Sequence, residues 1–420
     1  MRQETIQQES NLLERILSRG NMFAALAQVT RNQGAPGIDG MTVEELPAYL
    51  KQHWVTIRQQ LEQGTYRPCP VKRVWIPKAD GKQRALGIPT VLDRLIQQAI
   101  AQVIRDEWEG VFHEHSYGFR PNRSAHQAIR YAQSQVREGR SWIIDLDLKT
   151  FFDVVNHDRL LARLKQRTHD TLVLRLINRY LKAGVLEQGK KVKTIQGVPQ
   201  GGPLSPLLAN IVLDELDWEL TRRGHKFARY ADDLQIYVCS KTAGERVMTS
   251  VQRFIEGRLR LKVNAEKSAV RRPTKSIFLG FTFSRRGYRL KVSEKAIKSL
   301  KARVRKLSRR TRGHSMLQII ADLKKSLLGW KAYFDMSEVT SPLRDLDKWI
   351  RRRLRSYHWK QWGRAGYREL RKRGVDRQLA WNTAKSAHGP WRLSASPALY
   401  TALPIRYFIN LGLPELAARY

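Results

Sequence analysis

Tyr230-Ala231-Asp232-Asp233 sets two adjacent carboxylates between two short β-like runs, residues 226–229 and 234–238. Neighbouring carboxylates repel, and a tight turn gathers them usefully when a hard divalent cation sits among their oxygens. Asp147 ends a further apolar run, 142–148. If that strand lies beside the hairpin, Asp147, Asp232 and Asp233 converge and can hold two Mg²⁺, with Mn²⁺ able to substitute. One ion would lower the pKa of an attacking hydroxyl; the other would steady phosphate oxygens and the leaving group. Asp145, one strand repeat earlier, shares the face of Asp147 and reads as structural. A double aspartate in a turn is also an ordinary polar turn, so the rest of the chain must decide.

The elements that would position these groups read as an α+β middle region. Residues 71–77 alternate like a strand, turn at 79–82 and return through 84–88. Lys78 and Arg84 flank that turn, and two cations on a hairpin suit a triphosphate. Gln200 sits in a loop that Pro199 stiffens and Gly201 and Gly202 open to close backbone approach. Helical spacing marks 10–30, 93–108, 158–182, 207–220 and 243–259, and residues 277–283 complete the β elements. Composition shifts after about 285. Thirteen Lys/Arg face one acid, Glu294, between 285 and 313, while Ile297, Leu300, Val304 and Leu307 keep an apolar stripe. Two further stripes, through Leu323 and Leu346, complete a three-helix bundle with a basic outside.

The whole chain of 420 residues carries 77 Lys/Arg against 38 Asp/Glu, a net charge of +39 and a pI near 10.7. Such a charge repels itself unless polyanions neutralise it, which favours nucleic acid. An anionic membrane is second, but no amphipathic segment stands apart. Cys69 and Cys239 lack partners at ligand spacing, and no run is long enough to cross a membrane, so a cytoplasmic protein is expected. His113-Glu114-His115 lacks the spacing of a helical metal site and reads as surface.

Taken in order, Asp147-Leu148-Lys149-Thr150-Phe151-Phe152-Asp153, Val198-Pro199-Gln200-Gly201, Tyr230-Ala231-Asp232-Asp233 and Phe278-Leu279-Gly280-Phe281 resemble the motif set of reverse transcriptases. Gln33 to Gly40, Tyr66-Arg67-Pro68, Arg84 to Thr90, Tyr117-Gly118-Phe119-Arg120-Pro121, Asn156-His157 and Leu328 to Phe334 resemble the bacterial group II intron-encoded subfamily. The resemblance implies a right-hand polymerase fold. Residues 1–140 would form an N-terminal extension and fingers, 141–284 a palm with an antiparallel sheet, 285–355 a helical thumb or maturase domain, and 356–420 a basic nucleic-acid-binding tail.

The resemblance also implies roles. Asp147, Asp232 and Asp233 are the metal-binding aspartates, with the backbone carbonyl of Leu148 a further ligand. Lys78, Arg84, Phe152, Gln200 and Lys267 meet the dNTP, Phe152 lying beneath the deoxyribose, where a ring would clash with a 2′-hydroxyl. Leu279 and Gly280 grip the primer. The partners implied are intron RNA, an RNA template with a DNA or RNA primer, target DNA and dNTPs, with no membrane. No cysteine pairs or His-Asn-His follow the basic tail, so the compact type without an endonuclease domain is expected. The rival readings are a splicing maturase without polymerase activity and a retron, CRISPR-associated or defence reverse transcriptase.

Overall fold

Trp142–Asp147 (β3) is buried on both faces, with Ile143 and Ile144 fully inaccessible. That burial explains its nearly unbroken apolar run and puts it inside a sheet rather than at an edge. The computed structural model describes residues 12–77 and 83–418. In it β3 pairs antiparallel with Asp233–Val238 (β7) on one side and Ala269–Arg271 (β8) on the other. Lys226–Tyr230 (β6) closes the order β6-β7-β3-β8. Helices Ala125–Arg137 and Lys241–Phe254 pack against this sheet. Ser124 begins the first of them with a capping box: its hydroxyl accepts from Gln127 N, and the Gln127 side chain accepts from Ser124 N.

A second sheet runs in the order β2-β1-β4-β5, from Val71–Pro77 (β1), Gln83–Ile88 (β2), Val185–Glu187 (β4) and Lys190–Val192 (β5). Helix Val91–Glu109 follows β2 directly, capped by the Thr90 hydroxyl. Asp93 on its first turn is 1% exposed. Its carboxylate accepts from Tyr66, Tyr180, Thr90 and the backbone of Cys69, and burial nevertheless raises its pKa. A buried carboxylate with four donors ties three chain segments to one point.

The chain packs as two units, the first ending at Arg272 and the second starting at Pro273. The second opens with a hairpin of Phe281–Phe283 (β9) and Leu290–Val292 (β10). Helices Glu294–Leu307, Met316–Phe334 and Ser341–Trp362 follow. Their stripes, including Leu300, Val304, Leu323, Leu327, Leu346 and Ile350, are buried as the spacing predicts. Short helices continue to Asn410.

Several expectations need correction. The helix expected over 10–30 is two, Leu12–Leu17 and Arg19–Asn32, broken at Ser18. Only Phe281–Phe283 of the 277–283 run is strand, because Leu279 and Gly280 form a left-handed turn. His113 is buried rather than on the surface, packed between Trp218 and Phe227, with Nε2 2.9 Å from the Thr221 hydroxyl.

Candidate catalytic site and nucleotide pocket

The β3–β7 register places Asp147 directly opposite Asp233 and Asp145 opposite Gln235. Asp232 occupies the turn between β6 and β7, so the three aspartates expected to converge share one end of the sheet. Burial raises the Asp233 pKa to about 7, reinforced by the negative charges of Asp145, Asp232 and Asp147. Asp145 is bound into the sheet: Oδ1 accepts from Gln235 Nε2 at 2.7 Å, and Arg271 Nη1 lies 3.5 Å from Oδ2. Asp147 Oδ2 accepts from Asn264 Nδ2 at 2.9 Å and lies 3.4 Å from Lys267 Nζ. Lys267 therefore stands at the carboxylates themselves. Among the described residues no three His, Cys, Asp or Glu side chains surround a common point as a ready metal cage. Yet the donors are hard oxygens crowded on one sheet end, and an added divalent cation would offset the burial and the repulsion that together raise Asp233. In type and placement they fit such a cation.

Behind the turn lies a network that the sequence reading missed. Ala231 has φ 57°, a left-handed conformation that costs a non-glycine residue about 1 kcal/mol. Arg229, wholly buried, donates to both oxygens of Asp217 at 2.7 and 2.5 Å. It donates as well to the Ala231 carbonyl and Asn210 Oδ1, both at 2.9 Å, and to the Ser116 hydroxyl at 2.7 Å. Asn210 Nδ2 in turn donates to the Gly118 carbonyl. A Cβ on Gly118 would stand 2.4 Å from the Ala231 nitrogen, so only glycine lets this loop lie against the turn. A signal was available: Asn210, Asp214 and Asp217 recur at helical spacing on the face of helix Ser205–Arg222 that also carries Leu207, Leu213 and Leu220, all buried.

Arg84, Gln200 and Phe152 meet around one cavity of about 520 Å³, a volume suited to a small-molecule ligand. Arg84 Nε donates to Gln200 Oε1 at 2.7 Å, and the Gln200 carbonyl accepts from Gly87 N at 2.8 Å, which docks the 197–203 loop on β2. Phe151 is core and Phe152 is half-buried, their rings at 74°. The Phe152 carbonyl accepts from Val198 N at 2.6 Å, joining the same loop to the strand end that carries Asp147. Leu148 is buried and bridges to Val263. Lys78 lies outside the described residues. Leu279 and Gly280 belong to the second unit, where the Leu279 carbonyl accepts from the Tyr333 hydroxyl at 2.9 Å.

Residues 76–283 match the family model described as reverse transcriptase (RNA-dependent DNA polymerase), and 297–375 match the group II intron maturase-specific domain. Protein YkfC of Escherichia coli is 34% identical over 317 residues, a match covering 65% of this chain and 83% of that protein. The chain belongs to the group II intron-encoded reverse transcriptases and maturases. A reverse transcriptase of this family is an RNA-directed DNA polymerase of right-hand fold, and the maturase-specific domain serves intron splicing. The group II intron-encoded protein LtrA of Lactococcus lactis is 38% identical over 229 residues, which are 54% of this chain but only 38% of LtrA. Among solved structures, a chain of a partial Cas6-RT-Cas1–Cas2 complex is 26% identical. That match covers 58% of this reverse transcriptase and 42% of the other chain, with a TM-score of 0.38.

Proposed function

We propose that this chain copies an RNA template into DNA at Asp147, Asp232 and Asp233, and that it binds its own intron RNA to promote splicing and retrohoming. The observation that carries the reading is the β3–β7 register. It brings the aspartates to the sheet end from which the chain runs into Phe152 and the cavity shared with Arg84 and Gln200.

Two Mg²⁺ held there would activate a primer 3′-hydroxyl and neutralise charge on the leaving pyrophosphate. The three carboxylates and the Leu148 carbonyl would hold them. Arg84, with Lys78, takes the triphosphate, and the Gln200 amide orients the nucleotide. The Phe152 ring fills the space that a 2′-hydroxyl would need. Lys267, already beside Asp147, is placed to meet the leaving phosphates. Leu279 and Gly280 hold the primer end. Fingers, palm and thumb divide the chain near residues 140 and 284, with the basic segment after 355 binding template, intron RNA or target DNA. Such partners and a supply of dNTPs belong to the cytoplasm.

Primer extension on an RNA template with Mg²⁺ and dNTPs tests the reading. The wild-type chain should extend the primer, and Asp232→Ala should abolish extension while leaving RNA affinity within about twofold. Extension by the variant would remove these aspartates from the chemistry. A wild type that binds intron RNA and never extends would leave the splicing function alone.

A further inference from the structure

The Tyr117–Pro121 loop holds one residue that neither packing nor the roles above account for. Phe119 is 52% exposed, although its neighbours Gly118 and Arg120 are buried. It also takes φ 58°, a left-handed conformation in which a bulky side chain is rare. Strained, exposed aromatics usually sit on mobile loops, and this loop is fixed on both sides. Tyr117 N donates to the Arg229 carbonyl at 2.8 Å, and the Gly118 carbonyl accepts from Asn210 at 2.8 Å. Arg120 donates to the carbonyls of His113 and Ser116 at 2.6 and 2.8 Å and pairs with Glu109. The framework thus holds the Phe119 ring in the open at a conformational cost, a pattern expected where a ligand supplies the missing contact.

The position of the ring names the ligand. Phe119 lines the 520 Å³ cavity with Arg84, Gln200 and Phe152, and its ring lies 6.1 Å from Tyr230, which leads into the catalytic turn. Arg84 suits phosphate and Phe152 suits the sugar, and Phe119 is the other aromatic ring in the cavity lining, a flat face for the flat part of a nucleotide. We propose that Phe119 is a stacking platform for a nucleobase in this pocket, either that of the incoming dNTP or the templating base opposite it. Base–aromatic stacking is tolerant of sequence because every base has a π-face, so the platform would serve all four dNTPs. The proposal rests on the polymerase reading of this site.

Three variants test it in single-nucleotide incorporation. Phe119→Ala should raise the KM for dNTP about tenfold. Phe119→Trp should restore it. Phe119→Gly separates stacking from structure, because glycine relieves the left-handed strain. It should melt no lower than the wild type and still show the raised KM. An effect that scales from pyrimidine to purine dNTPs places the incoming base on the ring. An effect that vanishes opposite an abasic template position places the templating base there. Unchanged kinetics in the alanine and glycine variants, beside an active wild type, would overturn the platform and leave the polymerase reading standing. A wild type that extends no primer would remove both.

Discussion

Two of the turns with left-handed backbone are braced by opposite means. The turn between β6 and β7, with Ala231 at φ 57°, rests on the buried Arg229–Asp217 pair and the hydrogen bonds around it. The turn in the second unit, with Leu279 at φ 50° and Gly280 at φ 84°, rests on aromatic packing. A Cβ on Gly280 would meet the Phe334 ring at 3.0 Å, and the Tyr333 hydroxyl reaches the Leu279 carbonyl. The difference follows from what each turn carries. Crowded carboxylates repel, and a directional charge-assisted network fixes their geometry. A turn that bears no charge needs only shape, which rings supply.

The same contrast runs through the charges of the two units. From Pro273 onward there are 34 Lys/Arg against 9 Asp/Glu, a net +25; the longer first unit has 43 against 29, a net +14. In the first unit some arginines that lie over rings also find acids: Arg163, over Trp108, pairs with Asp214, and Arg120, over Phe112, pairs with Glu109. In the second, Arg373 lies over Trp362 and also pairs with Glu369, whereas Lys301, Arg305 and Arg353 lie over Trp349 and Arg352 over Trp391. A ring orients a cation without cancelling its charge, so these groups stay able to meet phosphate.

The largest break in the comparison should come from Asp217→Ala. It leaves Arg229 buried and unpaired, and removing one partner of such a pair costs about 3–5 kcal/mol. Denaturant unfolding of the variant should show that loss. The Asp217→Asn variant, which keeps the shape and some hydrogen bonding, should lose less stability yet still extend primers more slowly. A loss below 1 kcal/mol in Asp217→Ala would mean that the turn is held by packing after all.

That bracket also marks where sequence reading stopped. The strands ending at Asp147 and beginning at Asp233, the three-helix stripes and the loop bearing Gln200 were legible, because period and turn chemistry are local. The motif order then points to the site proposed above. Arg229 reads from sequence as one more residue of a β-like run, since its partners lie 12, 19 and 113 positions away at Asp217, Asn210 and Ser116. Strand β8 was hidden in the same way: Ala269–Arg271 is three residues long and is a strand only because β3 offers it an edge. Long-range pairing has no local period to read.

A smaller effect should come from the cations over Trp349. Replacing Lys301 and Arg305 with glutamine removes two charges while keeping their stems against the helix. RNA affinity should fall about tenfold at moderate salt, and the slope of log K against log salt should flatten by roughly one to two units. An unchanged slope would take these side chains out of the phosphate-binding surface and weaken the claim that the second unit keeps its charge available.

The smallest effect should come from Gly280→Ala. At φ 84° an alanine pays the left-handed penalty of about 1–2 kcal/mol, while the Phe334 ring can yield a few tenths of an ångström to the new methyl group. The unfolding free energy of the second unit should fall by that amount and no more, because packing spreads the strain over Phe281, Trp330 and Tyr333, whose rings touch Phe334 or one another. A loss as large as that of Asp217→Ala would show that this turn is no more compliant than the one between β6 and β7. The contrast between a charge-locked turn and a ring-cushioned turn would then fail. A loss near 1 kcal/mol beside one of 3–5 kcal/mol would establish it: the polar bracket makes the carboxylates rigid at the risk of collapse when one partner goes, and the aromatic bed tolerates error because no single contact carries the fold.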